Sequence, residues 1–311
     1  MTVARETIPL CDYEGSAYRT EFWGADREYE DLVERMALRA LLPPAGDCLA
    51  EIGAGFGRLA SEYAGYRRVV LLDPARSMLA EARDRLGHDH RFVFVVGSTY
   101  DLPLATRAYD TVVTVRVLHH LMDVPLALAE IARVVQPDGV YVLEYANKRH
   151  LKAILRYLLR RQAHSPFNRQ PYEFERLNFD FHPAYMAEAL YGAGFQVEAR
   201  RAVSIFRLGL LKRVAPARLL ARADSWLQQP LAPLALTPSI FLRARLARPD
   251  RGGPSNHLFR CRQCRQEGTL RPGEGSLDCT ACGTRWPIRE GIYDFQEPLS
   301  APKIEHCSPA G

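Results

Sequence analysis

No apolar run in the chain approaches the ~20 residues of a membrane-spanning helix, and the opening Met1-Thr2-Val3-Ala4-Arg5-Glu6 holds no hydrophobic export segment. The expected compartment is therefore the cytoplasm, with peripheral attachment at a membrane left open. Cysteine is scarce and odd in number, seven in 311 residues, which argues against a disulfide framework. Charge is nearly balanced at +5 but unevenly spread. From Lys148 to Arg222 there are fifteen Lys or Arg against five Asp or Glu, a local +10 that leaves the remainder near −5. Such asymmetry points to a polyanion, a membrane surface or merely a solvated face. Nearly half the residues are apolar and a quarter charged, so one full α/β core plus something smaller is expected.

The chain is organised around Leu49-Ala50-Glu51-Ile52-Gly53-Ala54-Gly55-Phe56-Gly57-Arg58. A short apolar strand enters three glycines at every second residue, and a helix is expected from near Leu59 to near Gly65. Glycine admits sharp turns and close approach of a ligand, and the helix would aim its free N–H groups at that turn. A dinucleotide loop would want its third glycine where Arg58 stands. Glu51 would also repel a pyrophosphate, whereas it suits an ammonium or sulfonium ligand.

Around this loop, strands and helices alternate. A helix is expected over Asp26 to Leu41, ended by Pro43-Pro44, after an aromatic lead-in, Tyr18 to Trp23, that is either a lid or core packing. Strands are expected at 48–52, 69–73, 92–96, 109–115 and 140–144, with a turn at Gln136-Pro137-Asp138-Gly139. This rhythm predicts a parallel sheet with right-handed crossovers. Asp73 ends the second strand, placed to bind ribose hydroxyls or to cap the helix that follows Pro74.

By its motifs the chain resembles the UbiE-like superfamily of class I S-adenosylmethionine (SAM) dependent methyltransferases, also called methyltransferase type 11. The matching residues are Glu51-x-Gly53-x-Gly55-x-Gly57, Asp73-Pro74, Gly97 with Asp101-Leu102-Pro103, Tyr109-Asp110, Val117-Leu118-His119-His120 and Gln136-Pro137-Asp138-Gly139. The resemblance implies a Rossmann-like, doubly wound, seven-stranded α/β sheet with an antiparallel last strand, and SAM as cofactor. The implied cofactor residues are Glu51, Gly53, Ala54, Gly55 and Gly57 at the methionine end, Asp73 and Pro74 at the ribose, Ser98 and Thr99 at the adenine, and Arg116. Ser98 stands where the family usually has Asp, so adenine recognition would rest on Ser98 or the Thr99 backbone. His119 and His120 are candidate general bases, with helix capping or packing as the alternative; Glu144 and Tyr145 are the other polar groups within reach.

The methyltransferase domain is expected over 1–246, with insertions at about 150–181 and 205–230. Both insertions begin as basic amphipathic helices. Leu151, Ile154, Leu155, Leu158 and Leu159 make one stripe, with Lys152, Arg156 and Arg160 opposite. They either shape the acceptor pocket, rest on RNA or an anionic membrane, or pack on the sheet. The acceptor classes in view are a small metabolite or lipid-like molecule first, then RNA. A SAM-binding scaffold without catalysis is the third reading.

A linker is expected at 247–256, a small module at 257–298 and a tail at 299–311. Cys261-x-x-Cys264 and Cys279-x-x-Cys282, fourteen residues apart, form a four-thiolate set for structural Zn2+, with glycines 268 and 283 at the turns. With Trp286-Pro287-Ile288 through Phe295, this module resembles Trm112-like zinc ribbons, which implies either a protein contact or a stabilising cap. Cys11, Cys48 and Cys307 are expected to be ordinary thiols.

Overall fold

The computed structural model describes residues 8–9, 14–15, 27–207, 209–247 and 252–300. The Tyr18–Trp23 lead-in, Cys11, Cys307, most of the tail and residues 248–251 of the linker lie outside them. Helix α1 spans Glu28–Leu41, followed by β1 (Gly46–Ile52), β2 (Tyr66–Asp73), α2 (Arg76–Leu86), β3 (Phe92–Val96) and β4 (Tyr109–Thr114). Then come α3 (Val124–Val134), β5 (Val135–Ala146), α4 (Leu151–Leu158), the hairpin β6 (Tyr172–Glu175) and β7 (Asn178–Asp180), and α5 (Pro183–Gly192). The domain closes with β8 (Phe195–Val203), α6 (Gly209–Val214), α7 (Ala217–Gln228) and β9 (Ser239–Leu246).

Strands β3-β2-β1-β4-β5-β9-β8 lie side by side, with β1 to β5 parallel and β9 antiparallel to both neighbours. Successive residues of the continuous apolar runs point to opposite faces, so each run serves two cores. Leu49, Val69, Leu71 and Val113 face α1, α2 and α7, while Ala50, Ile52, Val70 and Leu72 face α3 and α5. The expected turn at 136–139 is instead absorbed into β5: the register with β4 jumps from Tyr109↔Val135 to Thr111↔Val140, and Asp138 takes φ 60°. The residues bulge because pairing resumes on both sides of them.

The small C-terminal module does not stand apart. Its strands β10 (Leu270–Gly273), β11 (Ser276–Cys279), β12 (Arg285–Arg289) and β13 (Ile292–Asp294) continue the sheet, because β13 pairs in parallel with β3. The seven expected strands thus become part of an eleven-stranded sheet, and the β3 edge is covered. Arg260 and Asp294 anchor the junction. The buried Arg260 reaches Asp101 at 3.2 Å, Glu130 at 2.9 Å and the Leu102 carbonyl at 3.2 Å. Asp294 on β13 pairs with Arg76 of α2. The contact expected of the module is thus made, on this side, with its own chain.

Removing one partner of a buried ion pair strands the other charge, at a cost of about 3–5 kcal/mol. Arg260→Ala should therefore lower the unfolding free energy by about 3 kcal/mol in denaturant melts and expose the module to proteolysis. An unchanged melt would show that strand pairing alone holds the junction.

Candidate functional site

The site is assembled where β1 and β2 end. The Gly53 and Ala54 amides both donate to the Leu72 carbonyl, at 2.7 and 3.0 Å, and the Gly55 amide donates to Asp73 Oδ2 at 2.7 Å. The backbone can do this because Gly53, Gly55 and Gly57 take φ of 76°, 52° and 69°. A Cβ on Gly53 would stand 2.2 Å from Val117 Cγ2. The helix expected from Leu59 is reduced to a 3-10 turn, Ala60–Tyr63, since Gly65 turns the chain into β2 only eight residues after Gly57. A turn this short offers little dipole, so the binding groups are the strand-tip carboxylates and the loop backbone rather than a helix end.

The loop opens on a cleft that holds about 820 Å³ of space, the open solvent at its mouth included. Of the sequence-predicted residues, Glu51, Gly53, Ala54, Gly55, Asp73, Pro74, Thr99, Arg116 and His120 line it. Gly57, Ser98 and His119 do not. Gly57 packs against Leu86 and Ala82 of α2, and Ser98 Oγ accepts from the Tyr100 amide at 3.2 Å, shaping the loop from inside. Asp73 Oδ1 accepts from the Ala75 amide at 2.9 Å, a local turn bond just before α2 rather than a helix cap, and Asp73 also lines the cleft.

Glu51 is the most unusual group. It is buried, and burial pushes its carboxyl up to about 8 against the opposing pull of Arg58. The adjacent Tyr63 hydroxyl, also buried, acts on the same carboxyl and favours its ionised form. A carboxylate buried at a cleft wall is costly unless a cation completes it.

Arg116 turns through φ 64°, donates its amide to Glu144 Oε2 at 3.1 Å and its guanidinium to Glu34. Glu34, fully buried on α1, also receives Arg58 at 2.8 Å. Burial raises the Glu34 carboxyl, but the two arginines outweigh it and hold it below the usual range. Sequence reading missed Glu34. Its signal was an acid on the apolar stripe of α1, between Val33 and Ala37.

The His119 and His120 rings touch at a tilt of 47°, centroids 4.0 Å apart. Burial drives both imidazoles below 6.5, and each is thus neutral near pH 7. His120 Nδ1 lies 3.0 Å from the Leu177 carbonyl, which can only accept. Nδ1 therefore carries the proton, and Nε2 is the basic nitrogen. Glu144 is occupied by the Arg116 amide and by Ser239 Oγ at 2.7 Å, and Tyr145 is buried; neither lines the cleft.

The second site is the cysteine set. The four sulfurs all lie within 4.8 Å of one another, and the pairs Cys261–Cys282 and Cys264–Cys279 are 3.7 Å apart. A tetrahedral zinc with ~2.3 Å bonds requires sulfurs about 3.8 Å apart, so the set fits Zn2+. Trp286 Nε1, Thr269 Oγ1 and Thr284 Oγ1 surround the sulfurs at 3.2–3.5 Å. Gly283 makes the second knuckle turn, donating to the Cys279 carbonyl. In the first knuckle that position is Arg265, at φ 60°, rather than Gly268. Buried Cys48, its thiol pushed up to about 12 by burial, is inert.

The module's Arg260 and Arg262 both hold Asp101, which closes the loop carrying Thr99. Stripping zinc with a chelator should therefore unfold the module and weaken SAM binding several-fold, read by metal analysis and calorimetry on one sample. Unchanged affinity after metal loss would uncouple the two sites.

A family profile described as a methyltransferase domain matches residues 50–143. The Rubrivivax gelatinosus protein named ubiquinone/menaquinone biosynthesis C-methyltransferase UbiE is 34% identical over 118 residues, 37% of this chain and 46% of that protein. The Clavibacter sepedonicus demethylmenaquinone methyltransferase is 32% identical over 106 residues, 34% and 43%. The chain thus spans about half the length of the curated relatives it matches. A chain from the complex containing the Haloferax volcanii Trm112 methyltransferase activator aligns with a TM-score of 0.52 at 18% identity, covering 75% of this chain and 97% of that one. A SAM-dependent methyltransferase from Thermotoga maritima aligns at 0.51 and 16%, with the same coverage. These structures speak for the fold. Residues 50–143 thus match a methyltransferase domain, the fold is that of the SAM-dependent methyltransferases, and the chain continues into a four-cysteine module that fits a zinc ribbon.

Proposed function

We propose that the chain methylates a small apolar or lipid-like acceptor, using SAM held in the strand-tip cleft. The observation that carries the reading is the placing of two strand-tip acids, Glu51 and Asp73, along the wall of one cleft. A ligand with an ammonium at one end and vicinal hydroxyls further along satisfies both. Glu51 would take the ammonium, Asp73 the ribose hydroxyls through lone pairs its backbone bonds leave over, and the Thr99 loop the adenine. SAM, when bound, supplies an electrophilic methyl on a sulfonium.

The protein's own part is alignment and exclusion of water. Val115, Val117 and Leu121 make the remaining wall apolar, and Phe56 and Met78 flank the glycine loop. An apolar acceptor suits that wall, and the names of the Rubrivivax and Clavibacter relatives refer to quinone substrates. Where the acceptor must lose a proton, Nε2 of His120 is the base. RNA, favoured by the +10 stretch and the cysteine module, would find only Phe56 and His120 as rings on the cleft wall, too few to stack a run of bases. Transfer of labelled methyl from SAM into a lipid extract, against total RNA, tests the acceptor class. Label in RNA alone would overturn it.

Because the empty Glu51 carboxyl sits near 8, it is protonated at pH 7, and an arriving ammonium favours its ionised form. SAM binding should then release a proton from Glu51, and affinity should rise with pH toward 8. Glu51→Gln should remove that release and weaken binding about tenfold or more, seen by calorimetry in buffers of different ionisation heat. Equal proton release in both proteins would clear Glu51.

His120, with its ring below 6.5, stays unprotonated until the pH falls past that value, so the acid limb of turnover should lie below pH 6.5. His120→Ala should cut turnover about 10²-fold or more while SAM binding persists. Full turnover in that variant would remove it as base.

A further inference from the structure

We propose that α4 and the chain around its two ends form a docking surface for an anionic lipid bilayer. An amphipathic helix on a globular domain ordinarily buries its apolar stripe. Here Leu151, Leu155, Leu158 and the following Leu159, which recur along one side of the helix, are 51%, 50%, 66% and 63% exposed, and the only fully buried side chain of the helix is Ala153. The stripe does not pack on the sheet, contrary to the bland reading of the sequence.

The surroundings extend the same surface. Arg149 donates to the Leu234 carbonyl at 3.0 Å and the Leu151 amide to that of Leu236 at 2.8 Å, which brings the half-exposed Leu234 beside the helix start. Phe167, also half-exposed, packs edge-on to Tyr157 with centroids 6.2 Å apart. Lys152 and Arg156 form the next row round the helix, and Arg160 and Arg161 follow its end, all four exposed. From Lys148 to Tyr172 there are seven Lys or Arg and no Asp or Glu. The helix is pinned at its start by His150, whose Nδ1 accepts from the Ala153 amide.

Exposed aliphatics flanked by cations complement a surface that is apolar just beneath a layer of negative charge. Four leucines cannot stack on bases, so the exposed row does nothing for RNA. No helix among the described residues is long and apolar enough to cross a bilayer, so the contact is interfacial. The surface lies at the same end of the sheet as the donor cleft, because α4 follows the carboxyl end of β5 and the cleft lies at the carboxyl ends of the parallel β1 and β2. Docking there would bring the cleft near the headgroup layer, but the proposal concerns where the chain sits and stands apart from the acceptor reading.

Flotation of the full chain with vesicles of equal parts phosphatidylglycerol and phosphatidylcholine, and with phosphatidylcholine alone, tests it without any activity readout. The mixed vesicles should carry at least tenfold more protein, less so in high salt. The double variant Leu155→Gln/Leu158→Gln should lower partition tenfold or more at an unchanged melting temperature, since both side chains are exposed. Arg156→Gln should lower it about fivefold, the equivalent of ~1 kcal/mol per charge at an anionic surface. Absence of partition, or partition indifferent to the leucine change, would overturn the proposal. So would a solution dimer that the leucine change disperses, or RNA binding lost with Arg156 but not with the leucines.

Discussion

The grip of β2 on the exit of β1 governs the site. Three successive amides, from Gly53 to Gly55, are received by one carbonyl and one carboxylate at the end of β2. This works only if the backbone enters the left-handed region and comes against Val117 with no side chain between. Those conditions turn the chain away from the sheet and leave Glu51 buried on the cleft wall. Because Asp73 is held through both oxygens, the second acid of the cleft is fixed by the same bonds.

Two buried ionic clamps then set the walls. On one side Glu34 of α1 joins Arg58 and Arg116, and so links the glycine loop to the turn after β4. On the other, Arg260 joins Asp101 and Glu130, linking the ribbon to the loop after β3. Buried pairs of this kind contribute little net stability compared with apolar packing, yet they are intolerant of displacement. Their value here is positional: elements far apart in the chain are held to a common cleft. The leucine row of α4 is the opposite case, a stretch that intramolecular packing leaves unclaimed.

Much of this was legible from local pattern. The apolar runs that became β1 to β4 and the helix after Pro74 needed only periodicity and punctuation. The glycine spacing with its acids, and the paired cysteines, were legible because each demands particular residue types at fixed intervals. The helix after the loop was misread because the apolar content of 59–64 says nothing of how soon the chain must turn at Gly65. The pattern around Ser98 does not reveal that its hydroxyl accepts from the Tyr100 amide, a bond that depends on how the loop folds back. Glu34 went unread because its partners are 24 and 82 residues away.

The amino-acid order by itself determined the parallel sheet, the strand-tip loop and the thiolate set, since each rests on backbone conformation or ligand spacing within a few residues. Only the tertiary structure decided that the ribbon would join the sheet through β3, which face of α4 would meet solvent, and which carboxylate would be buried on the cleft wall. Those outcomes depend on hydrogen-bonding edges, buried surface and desolvation, quantities that exist only once distant segments have met.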